Sequence, residues 1–186
     1  MRILKKVASD LLFYLLWAVI AALLWIWIFS FITNTSVDKK VVLFADVPVI
    51  RATELSIELE KDKPENIKMV KAKSFENAMM MSSEIAVSDM YIVGSEAIDK
   101  YFDSFAPLSG EYVDSFDADV YAVDGVIYGI KVFDKESGKG IAMDYIGYYT
   151  DEDYYLFFGV RSAHCKSLGF GDDDAALSIA RRLFEL

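Results

Sequence analysis

Three hydrophobic patterns follow one another along the chain. Residues 11–32 (LLFYLLWAVIAALLWIWIFSFI) contain no charged residue and no Pro or Gly. As a helix rising 1.5 Å per residue this run extends roughly 33 Å, enough for a hydrocarbon core of about 30 Å. Only a helix lets one segment satisfy its own backbone in lipid, so 11–32 is expected to be a transmembrane helix, with a leader (1–10) before it and a short polar tether (33–40) after it. The second pattern alternates strand and helix periods. Residues 41–45 (VVLFA) are uniformly apolar, as in a strand buried on both faces, and Asp46, Val47 and Pro48 turn the chain. Leu55 and Leu59 mark an amphipathic helix over 52–61, and 67–72 alternates like a strand nearer a sheet edge. Ser74 suits the N-cap of a helix running to about Ile85, 90–93 (MYIV) is a strand, Gly94 and Ser95 turn, and 96–102 is a short helix.

Beyond Pro107 the pattern changes to strands joined by turns, at 120–123, 126–132 and 154–158, with Asp124-Gly125 marking a tight hairpin. A further turn is expected at 138–140, and 144–149 suits either a strand or a short helix. Ala176, Ile179, Ala180, Leu183 and Phe184 give 172–186 one apolar face, a helix docked on the body. Three strand–helix alternations imply right-handed crossovers. The fold class expected for 41–186 is therefore α/β, a three-layer lobe with a mostly parallel central sheet plus antiparallel strands.

Charge gives the chain a direction. Arg2, Lys5 and Lys6 precede the apolar run, whereas Lys39 and Lys40 lie beyond it beside Asp38, so the amino terminus is expected in the cytoplasm and the domain outside the cell membrane, in a single pass. The apolar core is too long, and its exit too bulky, for a cleaved signal peptide, which predicts a retained signal anchor. Trp25 and Trp27 near one end and Tyr14 near the other suit interfacial positions, and Ala18 and Ala22 form a small-xxx-small pair. The chain has 19 Lys and Arg against 29 Asp and Glu, and the leader takes three of the bases but only Asp10 of the acids. The outer domain is thus strongly acidic, which argues against nucleic-acid binding. Cys165 is the only cysteine, so neither an intrachain disulfide nor a CxxC site exists, a composition that suits a bacterial outer domain.

The stretch from Asp89-Met-Tyr-Ile-Val-Gly-Ser to Phe105-Ala-Pro-Leu, followed by Tyr121-Ala-Val-Asp-Gly-Val-Ile-Tyr-Gly-Ile, resembles the extracellular solute-binding proteins of ABC transporters, of the type 2 periplasmic-binding fold. The closing Tyr155-Leu-Phe-Phe-Gly, Ser162-Ala-His and Asp174-Ala-Ala-Leu are similar to that family's strand, Ser and Ala-rich helix. The resemblance covers most of 41–186 and implies one lobe of such a protein. Two departures stand out: Lys131 occupies a place where the family often has Pro, and 134–153 is too short for the second lobe that closes over a ligand.

In open parallel sheets ligands sit beyond the carboxyl ends of the strands. This points to Asp46, Ser74, Phe75, Ser95 and Glu96, with Asp46 and Glu96 accepting hydroxyl hydrogen bonds and Phe75 or Tyr128 stacking on a ring. Ser74 and Ser95 equally suit helix caps, and the acids suit first-turn partners of the helix dipole. Asp172, Asp173 and Asp174 lack calcium-loop spacing and fit the start of the last helix, while Asp151, Glu152 and Asp153 read as a solvated turn. His164 is the only histidine, and no G-x-S-x-G, H-E-x-x-H, P-loop or G-x-G-x-x-G is present. No enzymatic activity, cofactor or metal is expected. The expected function is a membrane-anchored solute-binding-like module for a small polar solute such as a sugar, possible accessory to an ABC transporter or other membrane protein. The alternative is a lobe without a ligand that docks a membrane or cell-surface partner through the same face.

Overall fold

In a computed structural model of the chain, residues 2–33, 35–75 and 85–186 are described. The chain divides into two compact units, Met1–Ser36 and Val37–Leu186. The first is α1 (Arg2–Thr33), a 32-residue helix. Among the described residues no helix is long and apolar enough to cross a membrane. The described side chains of α1 are apolar from Phe13 to Ile28 and exposed throughout, Trp17, Leu23 and Trp25 among them. The sequence continues without a charge to Ile32.

The second unit is a mixed α/β domain. Its main sheet runs β2 (Met69–Ser74), β1 (Lys40–Ala45), β3 (Met90–Gly94), β7 (Tyr154–Phe158), β5 (Val126–Asp134), β4 (Val120–Val123), with β6 (Lys139–Gly140) paired to β5. Only β2, β1 and β3 are parallel; β7, β5, β4 and β6 pair antiparallel. The expected parallel character therefore holds for the first half of the sheet alone. The returning strand β7 inserts between β3 and β5, opposing both. A second, small sheet pairs β8 (His164–Cys165) with β9 (Phe170–Gly171).

Strand periodicity sends alternate residues to two cores. On one face Val41, Leu43, Met90, Ile92, Leu156 and Phe158 meet α2 (Ala52–Glu60) and α5 (Ala175–Phe184), through Leu55 and Leu59 of the former and Ala176, Ile179, Ala180 and Leu183 of the latter. On the other face Val42, Phe44, Tyr91, Val93 and Phe157 are covered by Phe75, Phe105 and Ile98 of α3 (Ile98–Tyr101). Phe105 stacks on Phe157 with centroids 4.0 Å apart. A Cβ at Gly129 would meet the Phe157 ring at 2.7 Å, so glycine is what lets that ring lie on β5. Ser74, the expected N-cap, ends β2 and its hydroxyl accepts the Val49 N–H, while 76–84 of the helix expected after it, Met79, Met80 and Met81 among them, lie outside the described residues; the short α4 (Gly110–Val113), capped by Ser109, is an addition.

Other local expectations divide by the range of the forces that decide them. The β4–β5 hairpin turns at Asp124 and Gly125, both with positive φ (52° and 80°), which is the geometry Asp-Gly favours. Residues 144–149 form neither strand nor helix. They fold back on the loop after β1 instead, through an isolated Val49–Ile146 bridge, bonds from Ile50 N–H to Tyr145 C=O and from Gly147 N–H to Pro48 C=O, and the Arg51 guanidinium over the Tyr145 ring. Between β5 and β7 there is thus a folded-back loop and no second lobe. Lys131, the departure from a place where the resembled family often has Pro, donates its backbone N–H to Asp119 C=O at 2.7 Å. Its ammonium lies 3.4–3.5 Å from Asp119, Asp134 and Asp153. Proline could make neither contact.

Candidate functional site

The parallel strands β1, β2 and β3 end on the same edge, and the loop leading into β7 returns to that edge. There a cleft of about 150 Å³ is lined by Asp46, Val47, Pro48, Ser74, Phe75 and Tyr149. Four of the lining residues have a local reason to be there. Asp46 follows the last residue of β1, its N–H bound to Ile92 C=O of β3. Ser74 ends β2, and its hydroxyl accepts the Val49 N–H at 2.8 Å, tying the β1 loop across to β2. Phe75 turns into the second core, 5.9 Å from the Phe44 ring and 5.1 Å from Tyr101. Tyr149 is delivered by the fold-back loop and remains 51% exposed.

Glu152 completes the edge. Its carboxylate accepts the Glu96 N–H at 2.9 Å, the Tyr154 hydroxyl at 3.0 Å and, at 3.5 Å, the Ser95 hydroxyl. It thereby serves the backbone that leads into α3, so it is a structural acceptor as well as a charge, and not the solvated turn that its neighbours suggested. Partial burial raises the Asp46 pKa, the nearby Glu152 raises it further, and Lys100 opposes both. No Lys or Arg lines the cleft among the described residues.

Of the residues expected from sequence, the structure brings Asp46, Ser74 and Phe75 together in the cleft and sets Ser95 and Glu96 beside it, around Glu152. Tyr128 is not part of the group. Gly129 is level with Phe157, which is level with Tyr91, so Tyr128 lies toward the amino-terminal end of β3. Its ring packs 4.8 Å from Phe102 in the second core. Tyr149 and Glu152 were missed because their place depends on the fold-back and on the β3–β7 pairing, which no local pattern reveals.

The remaining polar groups gather at the opposite end of the sheet and are closed off. Asp89, 1% exposed, accepts the Val42 N–H at 2.8 Å and the Ser162 hydroxyl at 2.6 Å. Ser162 in turn accepts the backbone N–H of His164 at 2.9 Å, so it reaches that residue's backbone and not its ring. The His164 ring meets a carboxylate, Asp173, but lines no described cleft, and among the described residues no histidine lines the cleft that holds Ser74. No group of residues able to hold a metal ion occurs among the described residues. What the cleft can do chemically is hold a solute by accepting its hydrogen bonds and covering an apolar face. No family model, no curated protein and no solved structure matches this chain.

Proposed function

We propose that the chain is a membrane-anchored, extracytoplasmic module that receives a small polar solute, a sugar being the fitting class, at the carboxyl ends of β1, β2 and β3. The carrying observation is the cleft itself, where the Asp46 carboxylate and the half-exposed Tyr149 ring border one depression. A carboxylate for hydroxyl groups and an aromatic face for a ring are what a polyol needs, and a lining without Lys or Arg among the described residues favours neutral or cationic solutes over anions. The cleft is smaller than the roughly 300–1,000 Å³ of enclosing ligand sites, so it takes only part of a solute. Binding in the millimolar range follows, about −4 kcal/mol.

Two features support the rest of the reading. The exposed apolar sheath of α1 costs on the order of 25 cal/mol per Å² in water and nothing comparable in lipid, and the basic leader orients it with the domain outside. The return of β7 between β3 and β5, after a loop too short to form a second lobe, suits a single lobe of the type 2 periplasmic-binding kind serving as accessory to an ABC transporter. The second reading, a non-catalytic docking surface for a membrane partner, draws on Ile50, which is 65% exposed beside Pro48 at the rim.

Thermal-shift screening of the full chain in detergent against monosaccharides, amines and amino acids at tens of millimolar tests the first reading. A solute at ten times its Kd adds about 1.4 kcal/mol, or roughly 3–6 °C for a domain of this size. A shift that Asp46→Asn and Tyr149→Ala both reduce supports the solute reading. No shift from any solute, with a defined partner recovered by crosslinking in membranes through Ile50, overturns it.

A further inference from the structure

His164 is 1% exposed, and both of its ring nitrogens face oxygen atoms that accept hydrogen bonds. Nδ1 lies 2.8 Å from the Asp173 carboxylate, and Nε2 lies 3.0 Å from the backbone carbonyl of Val37. A carbonyl oxygen has no proton to give. Asp173 is ionised: burial alone would raise its pKa, but the Ala175 N–H, His164 and Asn66 outweigh that and hold it below the usual carboxylate range. Both bonds therefore exist together only when both nitrogens carry hydrogen, that is, in the imidazolium. Neutral imidazole keeps its one proton on Nδ1, facing the anion, and turns the Nε2 lone pair toward the lone pairs of Val37 C=O.

We propose that His164 is a proton-operated latch that holds the first turn of the domain, Val37–Lys39, against its body and releases that turn when the ring loses a proton. Val37 is where the second unit begins, and Lys39 C=O is separately held by Lys68 N–H at 2.9 Å, so the latch controls the stretch before β1 and not the strand itself. Release frees Val37 and Asp38 while Lys39 stays anchored, roughly 7 Å of chain. The latch stands on the geometry within the domain and does not depend on what the cleft binds.

The groups facing the ring set the direction of the switch. Burial alone would lower the His164 pKa; the Asp173 bond, the field of Asp89 and the Val37 carbonyl together raise it above 6.5. The Cys165 thiol, pushed up to about 12 by burial, stays neutral, and the Asp174 carboxylate is taken by the Ser167 N–H and hydroxyl. Asp38 and Lys39, on the turn itself, are exposed. The latch is therefore fully closed below about pH 6.5 and opens as pH rises through the elevated value.

The test uses the full chain in detergent or nanodiscs, without a histidine tag. Because the chain has a single histidine, one set of ring ¹⁵N signals reports the latch. The expected result is a titration above pH 6.5, with both nitrogens protonated below it, and hydrogen exchange at residues 37–40, corrected for intrinsic rates, whose protection falls about tenfold per pH unit over the same window. Asp173→Asn should move both midpoints down together, and His164→Gln should make the exchange independent of pH. A ring that titrates at or below 6.5, or protection at 37–40 that ignores the titration, overturns the latch. If His164→Gln fails to fold, the wild-type titration and Asp173→Asn still decide.

Discussion

At the amino ends of β1 and β3, Asp89, Ser162 and His164 each have their polar atoms engaged by named partners in a region that solvent hardly reaches. At the carboxyl ends of the same strands, Asp46 has no hydrogen bond to its carboxylate among the described residues, and Tyr149 stands half in water. One sheet thus carries a polar cluster spent on holding the fold and another at the edge where we propose that a solute is received. A conspicuous residue such as a lone histidine is a poor guide to a site when, as here, its ring is engaged within the fold while the cleft is lined by ordinary residues.

The sharpest way to break this contrast is to remove an acceptor at each end. Asp89→Ala leaves the Val42 N–H and the Ser162 hydroxyl buried without a partner and should cost about 3 kcal/mol in urea unfolding. Asp46→Ala should change stability by no more than about 0.5 kcal/mol, because no hydrogen bond to that carboxylate occurs among the described residues. Equal losses from both variants would mean that the cleft is structural too.

A pH series sharpens the same comparison with a somewhat smaller effect. The elevated His164 pKa contributes stability that is complete below about 6.5 and is lost as pH rises through its folded value. The depressed Asp173 pKa contributes stability that is complete above about 3.9 and is lost as pH falls through its own folded value. Burial raises Asp89, so the folded state holds that proton longer, and stability again declines as pH climbs out of the carboxylate range. The domain should therefore be most stable in mildly acidic solution and lose about 2 kcal/mol, the size of a hydrogen bond to a charged group, on the alkaline side. The urea midpoint against pH measures this, and a His164→Gln chain should lose the alkaline slope.

Much of the scaffold was legible because local pattern decides it. The uniform apolarity of β1 and β3, the alternation of β2, the Leu55–Leu59 spacing, the Asp124-Gly125 turn and the apolar face of the last helix each depend on near neighbours. What local pattern cannot carry is partner choice across the chain. The second His164 bond spans 127 positions to Val37, the Asp89–Ser162 bond spans 73, and the Glu152–Glu96 bond spans 56. Antiparallel β7 enters the sheet between β3 and β5, and that one insertion moves Tyr128 away from the cleft while bringing Glu152 to it. Asp46, Ser74 and Phe75 were accessible from sequence because they directly follow or end the parallel strands, where topology alone predicts a ligand edge.

Within the cleft, effects on binding should be modest and graded. Asp46→Asn keeps an acceptor but gives up a charge-assisted bond and should weaken a bound polyol by about tenfold, the equivalent of 1.4 kcal/mol. Tyr149→Ala should weaken it somewhat less, since one face of a half-exposed ring contributes about 0.5–1 kcal/mol, and neither change should alter the urea midpoint.

The smallest expected effect is the most diagnostic of the register. Tyr128 shares the aromatic character of Tyr149, but β5 places it toward the far end of the sheet with its ring against Phe102. Tyr128→Leu keeps an apolar body of similar bulk, so only the ring-pair preference is lost, about 0.5–1.5 kcal/mol of stability. Solute affinity should be unchanged within error, because strands rise only about 3.3 Å per residue and several positions separate Tyr128 from the carboxyl edge. If Tyr128→Leu weakens solute binding as much as Tyr149→Ala does, the solute lies across the aromatic face of the sheet, over Tyr121, Tyr128 and Tyr155, and the strand ends are only its border. Titrating the same monosaccharide into both variants, followed by backbone amide shifts, separates the two arrangements.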